Sequence, residues 1–183
     1  GMGGVGKTTL LNEINNRFVG AGEDDFDVVI WVTVSRQLNV SRIQEDIGVR
    51  LGFPRRGDLG AYPLPENKDD RRNALYRALH EKRFLLLLDD MWEALDLGEV
   101  GIPLPANFRT SAGKKIIFTT RSEEVCADMD AHQSKVKVGF LGKEESWELF
   151  CSKVDDKVGL YNNPDIHLLA RRVVEKCGGL PLA

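Results

Sequence analysis

The first 140 positions alternate between helical spacing of apolar residues and short, nearly continuous apolar runs. Residues 7–18 place apolar side chains three or four positions apart, which predicts an amphipathic helix. The run 26–34 is rich in β-branched and aromatic residues, which is typical of a strand buried on both faces. The apolar runs 84–88 and 116–118 predict further strands, and 136–140 is a candidate for another.

Two helical patterns lie between the first and second of these runs. Ser41 and Gln44 have capping-box spacing and predict a helix that starts near 41. Spaced apolar residues predict a second helix over about 68–81, and the glycines and prolines of 52–66 predict an exposed loop between the two. Strands that alternate with helices indicate an α/β fold, with a parallel sheet covered by helices on both faces.

The pattern beyond position 142 is helical only. One helix is predicted over 144–154, and Asn163 and Pro164 predict the start of another, because Asn caps helices and Pro is favoured at the first helical position. The predicted apolar faces are Trp147, Phe150 and Cys151 on the first helix, and Ile166, Leu169, Ala170, Val173 and Cys177 on the second. We therefore predict two domains, 1–140 and 141–183.

Composition narrows the class of protein. Of 183 residues, 42% are hydrophobic and 29% are charged, as in an ordinary globular chain. A net charge of −3 argues against a basic surface, so no nucleic-acid partner is expected. No apolar run approaches the ~20 residues that cross a bilayer, and three dispersed cysteines indicate a reducing compartment. We expect a soluble cytoplasmic protein without a transmembrane segment.

Both ends of the chain lie at sharp motifs. The chain begins inside a glycine-rich motif at Gly1 and stops directly after the sequence GGLPLA. Domain boundaries ordinarily fall in exposed linkers. We therefore expect a segment of a longer protein, in which the first strand of the sheet precedes Gly1.

The opening sequence GMGGVGKT carries the strongest chemical signal, because it fits the pattern GxxxxGKT and runs directly into a predicted helix. Glycines let successive backbone N–H groups surround phosphate oxygens, and the helix N-terminus adds partial positive charge. Lys7 is expected to reach the β- and γ-phosphates, and the Thr8 hydroxyl to ligate Mg²⁺. The alternative is a glycine-rich turn before a helix. The candidate nucleotide-binding residues are Gly1, Gly3, Gly4, Val5, Gly6, Lys7, Thr8 and Thr9.

Polar residues follow the two later predicted strands. Asp89 and Asp90 come directly after four leucines, and Arg121 comes after two threonines. We assign Asp89 to Mg²⁺ together with Thr8, and Asp90 to orienting or deprotonating the attacking water, because adjacent acids on a strand point in opposite directions. Arg121 is expected to sense the γ-phosphate through bidentate hydrogen bonds. The alternatives are a solvated turn for the acids and an ordinary surface arginine.

One motif points elsewhere. Residues 67–70, Asn-Lys-Asp-Asp, match the guanine-reading pattern NKxD of GTPases. They precede Asp89 and open a predicted helix instead of following a buried strand. Polar and acidic residues are favoured at a helix start, so we interpret the motif as a helix N-terminus and not as a guanine site.

The order of six segments resembles the NB-ARC region of plant nucleotide-binding leucine-rich-repeat immune receptors. These segments are GMGGVGKTTL, FDVVIWVTVS, RFLLLLDDMW, KIIFTTR, FLGKEESWELF and CGGLPLA. The resemblance covers essentially the whole chain. Trp92, which closes DDMW, resembles the coiled-coil class of these receptors more than the class with a Toll-like domain.

The resemblance implies a P-loop NTPase sheet over 1–140, followed by the start of a helical subdomain over 141–183. It implies ADP in a resting state, ATP in an active state and slow hydrolysis between them, with Mg²⁺ as cofactor. The family's pattern places phosphate and metal contacts at Lys7, Thr8 and Asp89, a catalytic acid at Asp90 and a sensor arginine at Arg121. It also implies that Pro181 packs near the nucleotide base, whereas the residues alone indicate only a helix stop.

The family's other parts are expected outside this segment: a coiled coil, a second helical subdomain with its MHD motif, and leucine-rich repeats, with oligomerisation on activation. Two alternative functions stay open. One is a metabolic ATPase or kinase, for which the sequence offers no acceptor-substrate site. The other is a related signalling ATPase in transcription, which would carry an attached DNA-binding domain.

Overall fold

The computed structural model describes residues 1–20, 26–55, 63–104, 113–131, 133–154 and 162–182. The chain forms two compact units, one of residues 8–135 and one in which residues 136–183 join residues 1–7. In chain order, the elements are α1 (Lys7–Gly20), β1 (Val28–Thr33), α2 (Val40–Arg50), α3 (Lys68–His80), β2 (Phe84–Met91), α4 (Leu97–Val100), β3 (Lys114–Thr120), α5 (Glu123–Asp128), α6 (Lys143–Lys153) and α7 (Pro164–Lys176).

The described strands form a parallel sheet in the order β1-β2-β3. Phe84 at the start of β2 pairs with Val28 on one side and Lys114 on the other. The leucines of β2 are at most 1% exposed, as a central parallel strand requires. The α/β fold with a parallel sheet is therefore confirmed.

Alternate side chains of β2 enter two separate cores. Phe84, Leu86 and Leu88 pack with residues of α2 and α3, whereas Leu85 and Leu87 pack with Leu11 of α1. The two-residue period of a strand sends successive side chains to opposite faces. The continuous leucine run thus reflects helices on both faces of the sheet, as predicted.

Paired residues fix the starts of β1 and β2. Arg83 donates to the Asp27 carboxylate from its backbone nitrogen at 2.8 Å and from Nη2 at 2.8 Å. These hydrogen bonds from Arg83, side chain first, hold the pKa of the Asp27 carboxyl below its usual value. The pair therefore stabilises the fold above the ordinary aspartate pKa, and this contribution is lost as the pH falls through the lowered value.

The predicted start of α2 near position 41 is confirmed, since the helix begins at Val40, but the predicted cap at Ser41 is wrong. Asn39 is the N-cap, and its side-chain oxygen accepts from the backbone N–H of Arg42 at 3.0 Å. Gln44 is fully buried and donates to the carbonyl of Glu99 at 3.2 Å. Asn39 and Ser41 both have side chains that can cap a helix, so the pattern does not decide between them. The hydrogen bond to α4 determines where Gln44 lies.

Two further expectations about the core and the sheet are corrected. The segment 136–140 is not a strand: Val136 is 82% exposed and Phe140 is 58% exposed. The apolar residues at alternate positions of this segment would form only one side of a strand. The backbone N–H of Leu141, which follows the segment, donates to the Gly179 carbonyl oxygen at 2.8 Å. Within the predicted exposed loop 52–66, Leu64 is 8% exposed and joins the core beside α2; residues 56–62 lie outside the described residues.

The C-terminal unit contains a smaller core between α6 and α7. Trp147 and Ala170 are buried there, and Phe150, Cys151, Ile166 and Val174 pack against them. The face of α6 is confirmed, but that of α7 is rotated, since Leu169 and Val173 are 59% and 53% exposed. Two apolar rows lie side by side on α7, and periodicity alone does not determine which row α6 covers.

The predicted helix starts at 67–70 and 163–164 are confirmed. The Asn67 side chain accepts from the backbone N–H of Asp69 at 2.8 Å, which accounts for the NKxD sequence as a helix cap. The Asn163 side chain accepts from Asp165 at 3.0 Å, with Pro164 at the first helical position. Among the helices that the structure describes, none is long and apolar enough to cross a membrane.

Gly101 supplies a test of the fold. It ends α4 with φ +97°, and a Cβ there would lie 2.3 Å from the Arg72 carbonyl oxygen. We expect Gly101→Ala to lower the free energy of unfolding by at least about 2 kcal/mol, because strain and a backbone clash add. Gly52→Ala is the matched control, since Gly52 has φ +91° in open space, and should cost about 1 kcal/mol in urea unfolding. Equal costs for the two variants would contradict the packing of α4 on α3.

Candidate functional site

The glycine-rich loop curls around the ammonium group of Lys7. Lys7 Nζ donates to the carbonyl oxygens of Gly1 at 2.9 Å and Met2 at 2.6 Å. Gly4 and Gly6 have φ values of +78° and +96°, which β-carbon-bearing residues rarely adopt. The loop therefore needs glycine at these positions, and its turn ends where α1 begins at Lys7.

The loop also contacts the GLPL sequence near the C-terminus. A Cβ on Gly4 would lie 3.3 Å from Leu182 Cβ and 3.4 Å from a methyl group of Leu180. Pro181, between these leucines, lines a cavity of about 180 Å³ together with residues of α6 and α7. Gly4 is therefore in van der Waals range of the segment that contains Pro181, a contact that the sequence did not reveal.

Asp89, on β2, contacts α1 and β3 through one threonine hydroxyl from each. Thr8 Oγ1, in the first turn of α1, lies 3.1 Å from Asp89 Oδ1 and 3.0 Å from Oδ2. Thr119 Oγ1 donates to Asp89 Oδ1 at 2.6 Å. Asp89 is only 5% exposed, so these donors compensate for the burial of its carboxylate.

The second acid lies in a bulge of β2. Leu88 pairs with Phe118 and Met91 with Thr120, so that both acids face the single residue Thr119. Asp90 has φ +58°, a left-handed conformation in which Asp is one of the tolerated residues. Its backbone N–H donates to Thr119 Oγ1 at 2.9 Å. The predicted strand end is corrected accordingly: β2 continues past both acids to Met91.

The carboxylate of Asp90 interacts with a different set of side chains from the carboxylate of Asp89. Its Oδ2 accepts from Trp92 Nε1 at 3.1 Å, and its Oδ1 lies 3.5 Å from Arg121 Nε. The guanidinium carbons of Arg121 and Arg36 each lie 5.0 Å from the centroid of the Trp92 ring. The two carboxylates therefore have separate side-chain partners.

The predicted site residues fall into two groups. Residues 1–7 and Pro181 belong to the C-terminal unit. The unit of residues 8–135 connects Thr8, Asp89 and Asp90 by hydrogen bonds through Thr119, and Arg121 joins them by an ion pair with Asp90. Thr9 is exposed on α1 and Val5 is buried.

The sequence did not predict that Thr119 would bond to both acids or that Trp92 would contact Asp90 and Arg121. The signal for Thr119 was a pair of threonines at the end of β3, where a hydroxyl next to the acids of β2 could have been anticipated from the parallel register.

The oxygen atoms around Asp89 suit a hard divalent cation. Mg²⁺ prefers oxygen ligands and commonly takes one or two from protein and the rest from phosphates and water. Thr8 and Asp89 present a hydroxyl and a carboxylate within 3.1 Å of each other, which fits that pattern. In the described part of the chain, no group of three or more His, Cys, Asp or Glu could hold a metal by itself. These residues fit a cation shared with a bound phosphate.

Comparison with known proteins identifies the family of this chain. A family model described as the NB-ARC domain matches residues 1–158. The chain belongs to the NB-ARC family. Its fold is that of a nucleotide-binding P-loop NTPase, and the resemblance noted from the six sequence segments is confirmed.

Relatives of this NB-ARC chain occur in Arabidopsis thaliana. The chain is similar to disease resistance protein RPS5, with 47% identity over 184 residues, 100% of this chain and 19% of that protein. It is also similar to disease resistance proteins UNI, at 45% identity, and RFL1, at 44%, again over 100% of this chain and 19% of each relative. The chain thus spans about a fifth of the length of these relatives.

Thr119 provides a test of the site's construction. We expect Thr119→Val to lower the free energy of unfolding by about 1–3 kcal/mol, because both Asp89 Oδ1 and the Asp90 N–H lose a partner. Thr33→Val is the control: that exposed hydroxyl on β1 accepts from Trp31 Nε1 at 3.1 Å, and its loss should cost about 0.5 kcal/mol or less. Thermal and urea unfolding measure both, and equal costs would contradict a central role for Thr119.

Proposed function

We propose that this chain is the nucleotide-binding segment of a plant disease resistance protein, and that it switches between an ADP-bound resting state and an ATP-bound active state. The observation that carries the proposal is the Thr8 hydroxyl within hydrogen-bond distance of both Asp89 carboxylate oxygens, directly after a glycine-rich loop closed on Lys7. The printed names of the relatives support the disease resistance role.

Different residues of the chain would bind different parts of the nucleotide. The loop N–H groups and the N-terminus of α1 would bind phosphate oxygens, and Lys7 would exchange its two loop carbonyls for the β- and γ-phosphates. Thr8 and Asp89 would hold Mg²⁺, which supplies charge neutralisation at the phosphates. Pro181 would pack near the nucleotide base, as the family resemblance implies.

Asp90 and Arg121 would distinguish ATP from ADP. Asp90 would orient or deprotonate the attacking water, and Arg121 would contact the γ-phosphate. A nucleotide shifts the balance between two conformations only by its differential affinity for them. Slow hydrolysis would return the protein to the ADP state. The signal would be the assembly of the ATP-bound protein and not the release of a reaction product.

The rest of the receptor is part of the same proposal. We assign residues 1–140 to the P-loop domain and 141–183 to the start of a helical subdomain. A coiled coil and leucine-rich repeats would lie elsewhere in the protein, which would act inside the cell and oligomerise when active. A metabolic ATPase or kinase would instead turn over at the ~1–100 s⁻¹ typical of kinases, which a steady-state assay distinguishes.

Replacement of Lys7 tests nucleotide binding. We expect Lys7→Ala to abolish measurable binding of ADP and ATP, because the phosphates lose their main cationic contact. Isothermal titration calorimetry measures the affinities, and Lys82→Ala in the exposed turn before β2 is the control for loss of a lysine. Unchanged ADP affinity in the Lys7 variant would remove the phosphate-binding assignment.

Replacement of Asp90 tests hydrolysis. We expect Asp90→Asn and Asp90→Ala to bind ATP but to hydrolyse it at least about tenfold more slowly, because a general base contributes that much or more. Asn is the cleaner variant, since it tolerates the left-handed backbone at φ +58° better than Ala. Asp130→Asn is the matched control, because Asp130 is exposed with φ +52°. An unaltered single-turnover rate in the Asp90 variants would exclude the catalytic role.

A further inference from the structure

Trp92 connects side chains that follow all three described strands. It comes directly after β2, Arg36 follows β1, and Arg121 comes directly after β3. Both guanidinium carbons lie 5.0 Å from the Trp92 ring centroid, within the range of a cation–π contact. The indole Nε1 donates to Asp90 Oδ2 at 3.1 Å. One side chain therefore holds both the arginine and the acid that the proposed function uses.

The ion pair of Arg121 engages one part of its guanidinium. Arg121 Nε lies 3.5 Å from Asp90 Oδ1. A guanidinium carries five N–H donors, so contact through Nε is compatible with further hydrogen bonds from the terminal nitrogens. These terminal groups have the fork geometry that binds phosphate oxygens in pairs. Trp92 and Asp90 can thus fix Arg121 and still allow it to bind a phosphate.

We propose that Trp92 is a positioning residue, whose ring and indole N–H hold Arg121 and Asp90 in place for the terminal phosphate of a nucleoside triphosphate. The inference rests on the proposed function. Ordering a long arginine before the ligand binds removes part of the conformational entropy cost of binding. Because only the triphosphate has a γ-phosphate, this gain raises the affinity for ATP relative to ADP.

Packing alone gives no comparable reason for a tryptophan at this position. Trp92 is 39% exposed and belongs to neither of the two hydrophobic clusters around the sheet. Tryptophan is the aromatic residue that binds cations best, and it adds an N–H donor that phenylalanine lacks. The two contacts can therefore be separated by substitution.

The test measures the ratio of affinities for a non-hydrolysable ATP analogue and ADP, both with Mg²⁺, by calorimetry on the natural protein. We expect Trp92→Leu to lower the ratio by about five- to tenfold, because the ring and the N–H are both lost. Trp92→Phe keeps the ring and should lower it by about two- to threefold. Trp31→Phe is the matched control, since Trp31 Nε1 also donates to a residue two positions away, Thr33, at 3.1 Å; its ratio should stay within about twofold.

Each outcome decides whether Trp92 positions Arg121 and Asp90 for the nucleotide or only contributes to packing. A lower ratio in the Trp92 variants, with the Phe variant intermediate, supports positioning; if the Leu variant does not fold, the Phe variant decides. An unchanged or raised ratio, or an equal loss of affinity for both nucleotides, overturns it. If the unsubstituted protein binds neither nucleotide, the proposed function fails as well. If it binds both and the ratio does not respond to Trp92, only this inference fails.

Discussion

The buried carboxylate of Asp89 is the group on which the candidate site depends. At 5% exposure it has lost most of its contact with water, and a charged group in that position must be hydrogen-bonded. Thr8 from α1 and Thr119 from β3 supply those bonds. A cation placed between Thr8 and Asp89 would replace the first bond, while the second would keep the carboxylate where it is.

Thr119 also separates the two acids. Its hydroxyl accepts from the Asp90 N–H while it donates to Asp89, and this pair of bonds spans the bulge in β2. The left-handed backbone at Asp90 costs about 1 kcal/mol or more, which the surrounding structure must offset. The bulge places Asp90 with Trp92 and Arg121 and leaves Asp89 with the threonines. Two consecutive residues thereby acquire distinct surroundings.

The sequence predicted the helices and strands better than it predicted the tertiary contacts between them. The leucine run of β2 and the strand and helix patterns around it are local, and they determined the parallel α/β fold. The cap of α2, the buried position of Leu64 and the covered face of α7 depend on contacts with distant residues. The bulge was not predictable either, because it depends on how β2 and β3 pair. A bulge adds one residue to one strand, and the hydrophobic pattern does not show where that residue is added.

The contact between Gly4 and the leucines beside Pro181 shows how a distant part of the sequence limits the phosphate loop. Position 4 favours glycine because its φ is +78°, and a Cβ there would also press against the side chains of Leu182 and Leu180 at 3.3 and 3.4 Å. Gly179, in the same GLPL segment, has φ +80° and would place a Cβ 2.3 Å from the Leu141 carbonyl. The close approach at Gly179 is to the backbone of Leu141, whereas Gly4 faces the side chains of two leucines. A substitution at Gly4 would therefore strain the loop backbone even if those leucine side chains moved aside.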